Sequence, residues 1–102
     1  MDILYKKLQQ IKQKPALYIG KKSLPLLRAF LDGYIEYHNE TNEPNEPNNF
    51  FISEFNEYLQ RRFNVSRSHG WVEIIIFFSI NEDAAFDAFF LLLDDFFSET
   101  QQ

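Results

Sequence analysis

Few residues in this 102-residue chain have the types and spacing that chemistry requires. The chain has no cysteine, which excludes disulfides, zinc–thiolate sites and cysteine nucleophiles. Its two histidines, His38 and His69, lie about thirty residues apart and form no short metal-binding motif. The acidic residues at 82–87 and 94–95 fall in a predicted helix, whereas calcium loops place carboxylates on irregular backbone with a glycine turn. We therefore expect no metal site and no cofactor.

One short stretch brings serine and histidine together, where Ser66, Ser68 and His69 are close in sequence. Nucleophilic catalysis also needs a converging acid, and this stretch has the composition of a turn whose serines cap the next helix. The three glycines are widely separated, so the chain has no nucleotide-binding glycine loop. The sequence thus predicts a protein that is not an enzyme. The alternative that stays open is a small intracellular enzyme or ligand-binding domain with a pocket at Tyr18, His69 and Trp71.

Hydrophobic periodicity predicts that a single, mainly helical domain positions these residues. The chain has the length of one domain, and its apolar and charged contents are those of a folded globular protein. In the first helix Leu4, Leu8 and Ile11 recur on one face, and Pro15 ends the helix. The five expected helices cover residues 2–13, 24–38, 50–63, 71–80 and 82–98.

Local signals indicate several helix ends. Ser23 and Asn81 are good N-caps, and Asn64 is expected to end the third helix. Gly33 lies inside the second helix, where glycine costs about 1 kcal/mol against alanine, so we expect a close packing contact there. Residues 39–49 are rich in Asn, Glu and Pro and are expected to form a flexible polar loop.

The segment 71–80 is ambiguous from its sequence. Its β-branched residues favour a strand, whereas the spacing of Trp71, Ile75 and Phe78 favours a helix. A strand needs a neighbour for its backbone groups, and the short stretch 17–19 is the other candidate strand. We therefore expect a buried helix, and an α+β fold with a strand at 71–80 stays open as the alternative.

Aromatic residues concentrate in the C-terminal half, where eleven of the twelve Phe lie at position 50 or later. In the last helix the apolar residues between 84 and 97 cover roughly 240° of the circumference, against a stripe of ~100° or a little more in an ordinary surface helix. We expect this helix to be central or shared with a partner, and we predict a homodimer through residues 84–97. The expected core residues are Leu4, Leu8, Leu27, Leu31, Tyr34, Phe55, Leu59, Trp71, Ile75, Phe78, Phe86, Phe89, Leu93 and Phe96.

Charge is distributed unevenly along the chain. Residues 1–28 carry a net charge of +6 and residues 29–102 carry −11, for a total of −5. We expect part of this difference to be paired within a compact domain that is acidic outward, which disfavours nucleic acid and favours a basic protein partner. The candidate partner-binding residues are Glu36, Glu40, Glu43, Glu46, Glu54 and Glu57.

Five blocks of the chain, taken in order, resemble a family of small bacterial proteins. The blocks are Lys-Pro-Ala-Leu-Tyr-Ile-Gly at 14–20, Ser-Leu…Leu-Arg-Ala-Phe-Leu-Asp-Gly-Tyr at 23–34, Phe-Asn-Glu-Tyr at 55–58, Gly-Trp…Ile-Ile at 70–75 and Ala-Phe-Asp…Asp-Asp-Phe at 85–96. The family consists of stand-alone, mostly uncharacterised proteins, some of which lie in toxin–immunity gene neighbourhoods. The resemblance implies a non-catalytic protein-binding domain of immunity type that neutralises a basic toxin, and it brings no catalytic residue with it.

The sequence also predicts the compartment. The first residues lack the apolar region of a signal peptide, and the longest apolar runs are far shorter than the ~20 residues that span a bilayer. We expect a cytoplasmic protein with no membrane contact.

Overall fold

The computed structural model describes residues 3–41, 51–66 and 69–100, and all regular structure in those ranges is helical. The predicted mainly α fold is confirmed, with six helices in the described ranges instead of the five expected. The predicted loop 39–49 begins too early, because residues 39–41 still belong to the third helix, and 42–49 lie outside the described residues. The helices are α1 Ile3–Gln13, α2 Pro15–Ile19, α3 Leu24–Thr41, α4 Ile52–Phe63, α5 Trp71–Phe77 and α6 Glu82–Thr100.

The additional helix is α2, which has only five residues and lies in the segment that we expected to be a connector. Pro15 opens it at a first-turn position, where its missing N–H is no loss. Gly20 closes it with φ 92°, and its N–H donates to the carbonyl of Ala16 at 3.2 Å. A left-handed backbone of this kind favours glycine, so Gly20 fixes the direction in which the chain leaves α2.

Helix α3 begins where the sequence indicates. The Ser23 hydroxyl, which is buried, accepts a hydrogen bond from the Leu26 N–H at 3.3 Å and so caps the helix. The expected packing contact at Gly33 is wrong, because Gly33 is exposed and a Cβ added there would meet no atom within 4 Å. Gly33 is therefore a weak point in an otherwise good helix.

The segment that was ambiguous in sequence is helix α5, so the strand alternative is wrong. The helical spacing buries Trp71, Ile74 and Ile75 together on one face, which a two-residue period could not do. The Asn56 side chain on α4 accepts the Trp71 N–H at 2.9 Å and caps α5 from fifteen residues upstream. Asn64, which lies between α4 and α5, adopts the left-handed conformation and ends α4 as expected.

Helix α6 is central in the described part of the chain, packing against α3, α4 and α5. The ring of Phe89 lies 5.6 Å from that of Phe55 and 5.0 Å from that of Trp71, between centroids. The ring of Tyr5 on α1 meets Phe97 edge-on at 5.1 Å. These contacts bury most of the apolar arc of α6 within a single chain. The predicted homodimer through 84–97 stays a prediction, but the arc no longer requires it.

The predicted core is largely confirmed, with two exceptions. Tyr34 is half-buried, with its ring between those of Phe30 and His38 at 6.3 Å from each. Phe78 is 52% exposed because α5 ends one residue earlier, which leaves its ring on the surface against Phe63. The core also contains buried side chains that were not predicted, namely Ile11, Leu24, Phe51, Tyr58, Val72, Ile74, Ala85, Phe90 and Leu92.

Candidate functional site

An open groove of about 550 Å³ runs between α3 and α4. Ile35 and Ile52 are half-buried and give it an apolar floor, while the walls are polar. The groove is lined by Asp32, Ile35, Glu36, Asn39 and Glu40 from α3 and by Ile52, Ser53 and Asn56 from α4.

Three carboxylates follow one another along the α3 side of this acidic groove. Asp32, Glu36 and Glu40 are spaced by four residues, so the helix places them on one face, each a turn from the next. All three are exposed, and none of them forms a salt bridge within the described ranges. Like charges at this spacing destabilise a helix by a few tenths of a kcal/mol per pair. The arrangement therefore costs stability that no ion pair between described residues offsets.

Four carboxylates elsewhere on the described surface have cationic partners. Three of the ion pairs join the basic N-terminal part to the acidic remainder, as the charge distribution predicted. The pairs between described residues are Lys21–Glu82 at 3.7 Å, Lys22–Asp87 at 2.9 Å, Arg28–Glu73 at 2.9 Å and Arg62–Asp95 at 2.8 Å.

These pairs also shift the titration of their members. The hydrogen bond from the Arg28 guanidinium lowers the pKa of the Glu73 carboxyl below its ordinary value. The hydrogen bond with Asp87 raises the pKa of the Lys22 ammonium, and Asp95 does the same for the pKa of Arg62. Each shift favours the charged form of the group, as a neighbouring opposite charge must.

The predicted partner-binding residues fall into three groups. Glu36 and Glu40 lie in the acidic groove. Glu54 and Glu57 are exposed elsewhere on α4, and Glu57 lines a separate cleft of about 260 Å³ with Arg61. The other two predicted glutamates, at 43 and 46, lie outside the described residues.

Sequence reasoning missed one member of the groove. Asp32 precedes Glu36 by four residues on α3, and that spacing is a signal from which it could have been found. The opposite wall, which includes Asn56, has no signal in sequence, because its place depends on how α3 and α4 each pack on α5 and α6.

The structure places the three residues of the predicted pocket in three different environments. Tyr18 on α2 is half-buried, with its hydroxyl 3.5 Å from the Gln10 amide oxygen. Trp71 is only 5% exposed and lies in the core against Phe55. His69 is exposed and lines a small cleft of about 250 Å³. Within the described ranges no hydrogen bond or ring contact joins Tyr18 to Trp71.

No group of three or more His, Asp or Glu side chains in the described part of the chain could hold a metal ion. The carboxylates of the acidic groove are thus spread along the helix and do not converge on one point. This geometry presents a line of negative charge to a partner of similar length.

Comparison with protein families, with curated proteins and with solved structures finds no match for this chain. Among the helices of the described residues, none combines the length and the apolar character needed to cross a bilayer.

Proposed function

We propose that this protein is a non-catalytic protein-binding domain, and that the acidic groove receives a basic segment of its partner. The observation that carries the proposal is the row of Asp32, Glu36 and Glu40, which has no cationic partner among the described residues and borders an apolar floor. Following the family resemblance, we propose an immunity-type role in which the partner is a basic toxin.

The chemistry of the groove suits long basic side chains. Lysine and arginine bury their aliphatic stems on apolar surface while the charged head stays polar. In the groove such stems would pack on Ile35 and Ile52, and the heads would reach Glu36 and Glu40. Arginine would gain most, because its guanidinium forms paired hydrogen bonds with a carboxylate.

Charge also favours the encounter itself. The chain carries −5 in total, and the acidic groove places along one helix face three carboxylates that form no ion pair with another described residue. Complementary fields raise association rates and lower them again as salt screens the charges. Many toxins that attack nucleic acid are basic, so an acidic surface is complementary to them in charge.

The experiment that tests this function uses the proteins encoded beside this gene. The tagged protein is expressed with each neighbour, capture is measured at low and high salt, and growth is scored when the neighbour is toxic. We expect one basic neighbour to be captured, its toxicity to be relieved, and its capture to weaken as salt rises.

The matched variants make the test specific to the groove. The triple variant Asp32→Asn, Glu36→Gln, Glu40→Gln changes the net charge from −5 to −2, and it should lose capture and protection. A control with the same charge change, placed on the outer surface of α6, should keep both: Asp83→Asn, Asp94→Asn, Glu99→Gln. Salt-insensitive capture, or the absence of any captured neighbour, would contradict the proposal.

A further inference from the structure

A second surface of the molecule is apolar and lies around the turn between α5 and α6. Of the eight large apolar side chains that are exposed in the described residues, five belong to this region. We call them the Phe77 patch: Ile76, Phe77, Phe78, Ile80 and Leu91.

A ring contact, a shared cleft and closeness in the chain bring the members of the Phe77 patch together. The rings of Phe77 and Phe78 are 5.0 Å apart between centroids. Phe78 and Leu91 line the same cleft, and Ile80 lies in the turn two residues after Phe78. Scattered exposed apolar residues are normal on a soluble protein, whereas the largest apolar patch of a monomer is often functional.

The patch has both protruding side chains and recesses that could receive them. Phe77 is 80% exposed and Ile80 is 91% exposed, so both project from the surface. Phe78 separates two clefts, one of about 380 Å³ with an apolar lining that includes Phe63 and one of about 250 Å³ beside His69. A surface that has both projections and recesses can pair with a copy of itself, as a twofold interface requires.

Charges that border the two clefts of the Phe77 patch have partners within the chain. Arg62 is bonded to Asp95 at 2.8 Å beside one cleft, and Glu73 is bonded to Arg28 at 2.9 Å beside the other. These two pairs add no net charge beside the clefts, so they do not repel the same pairs on an identical surface. The same border offers little to attract a strongly basic partner, which the acidic groove does.

The size of the patch agrees with self-association. The exposed fractions of its five side chains correspond to on the order of 600 Å² of apolar surface. A stable interface buries about 800 Å² on each partner, with an apolar centre and a polar border. The Phe77 patch could supply that centre.

We propose that the Phe77 patch is the interface of a homodimer in which two copies of this chain meet patch to patch about a twofold axis. This interface differs from the one expected along residues 84–97, because it is built on the α5–α6 turn and Leu91 is its one exposed large apolar side chain from the described part of that helix. It does not depend on the function of the acidic groove.

The test is the mass in solution, measured by size exclusion with light scattering over a wide range of concentration. The wild-type chain should show twice its 12.2 kDa mass, and raising the salt should not dissociate it. The double variant Phe77→Ser, Ile80→Ser should be monomeric, as should Leu91→Glu, which places like charges across the axis. Helical circular dichroism reports whether each variant is folded.

The matched control is Leu17→Ser, which removes an exposed leucine of α2 far from the turn in sequence and should leave the dimer intact. A wild-type monomer at every concentration would overturn the proposal. A different protein would then be the candidate partner of the patch. A dimer that persists in both patch variants would overturn it as well.

Discussion

The acidic groove and the Phe77 patch are both open surfaces, and they differ in the groups that they expose. The groove exposes carboxylates, and the patch exposes apolar side chains. Along the groove, Asp32, Glu36 and Glu40 form no ion pair within the described residues, and the apolar floor beside them is small. At the patch the apolar side chains are exposed, while the bordering charges Arg62 and Glu73 have partners. One surface thus offers charge and the other offers apolar area.

This difference determines what each surface can bind. Three like charges in a row repel a second copy of themselves, so the groove needs a partner of opposite sign. An apolar patch whose clefts are bordered by paired charges meets less repulsion and can face its own copy. The two interactions should also respond differently to salt, because screening weakens charge pairing and leaves apolar burial in place.

The largest effect should separate a core aromatic residue from a patch aromatic residue. Phe89 is fully buried between Phe55 and Trp71, so Phe89→Ala should lower the free energy of unfolding by about 3–5 kcal/mol. Phe77 projects into solvent, so Phe77→Ala should change the monomer's free energy of unfolding by less than about 0.5 kcal/mol.

Urea unfolding followed by fluorescence measures both variants, because Trp71 is the single tryptophan and lies against Phe89. The measurement is made at a protein concentration below the dimer range, so that subunit association does not contribute. Equal losses in the two variants would show that Phe77 belongs to the core and would end the distinction between patch and core.

A smaller effect of opposite sign is expected on the helix that lines the groove. Gly33 is exposed on α3, with no atom within 4 Å of an added Cβ, so alanine fits there without strain. Gly33→Ala should therefore raise the free energy of unfolding by about 0.5–1 kcal/mol. Thermal unfolding at fixed concentration checks this, and a lower melting temperature would mean that α3 needs the glycine for a reason other than space.

The smallest effect concerns the paired charges at the border of the patch. The Arg28 guanidinium lowers the pKa of Glu73 in the folded chain below its unfolded value of 4.5. The pair therefore stabilises the fold above that pH, and its contribution disappears as acid protonates Glu73 through its lowered pKa. Arg28→Gln should cost less than about 1 kcal/mol at neutral pH, since both partners are exposed, and nothing in strong acid.

The groove supplies the comparison for this pH dependence. Glu36 forms no ion pair among the described residues, so Glu36→Gln should not lower the melting temperature at neutral pH. Melting temperatures of both variants and of the wild type are recorded from neutral to strongly acidic pH. A loss at neutral pH in Glu36→Gln as large as that in Arg28→Gln would contradict the contrast between unpaired and paired surfaces.

Much of the fold could be predicted from the sequence because most of its helices are long enough to show apolar periodicity and some begin at recognisable capping residues. Apolar periodicity indicated α1, α3, α4 and α6, and Ser23 and Asn81 cap their helices through the N–H groups of Leu26 and Ala84. Helix α2 was missed because five residues are too few to show a period. The cap that Asn56 gives α5 was missed because it joins residues fifteen apart in the chain.

The two surfaces were less accessible to sequence reasoning. Glu36 and Glu40 could be chosen from composition, but the groove exists only because α3 lies beside α4. Phe78 was expected in the core, since the period continued through it, whereas the helix ends at Phe77. A difference of one residue in where the helix ends thus decides whether the ring of Phe78 is buried or belongs to the exposed Phe77 patch.

The most direct test of the central claim is a calorimetric titration of the basic neighbour-gene product into this protein. Three forms are compared at two salt concentrations: the wild type, the groove variant Asp32→Asn, Glu36→Gln, Glu40→Gln, and the α6 control Asp83→Asn, Asp94→Asn, Glu99→Gln. We expect the groove variant to bind at least about tenfold more weakly than the wild type, a loss of about 1.4 kcal/mol, with the control close to the wild type. Equal weakening in both variants, or none in either, would contradict the assignment of binding to the acidic groove.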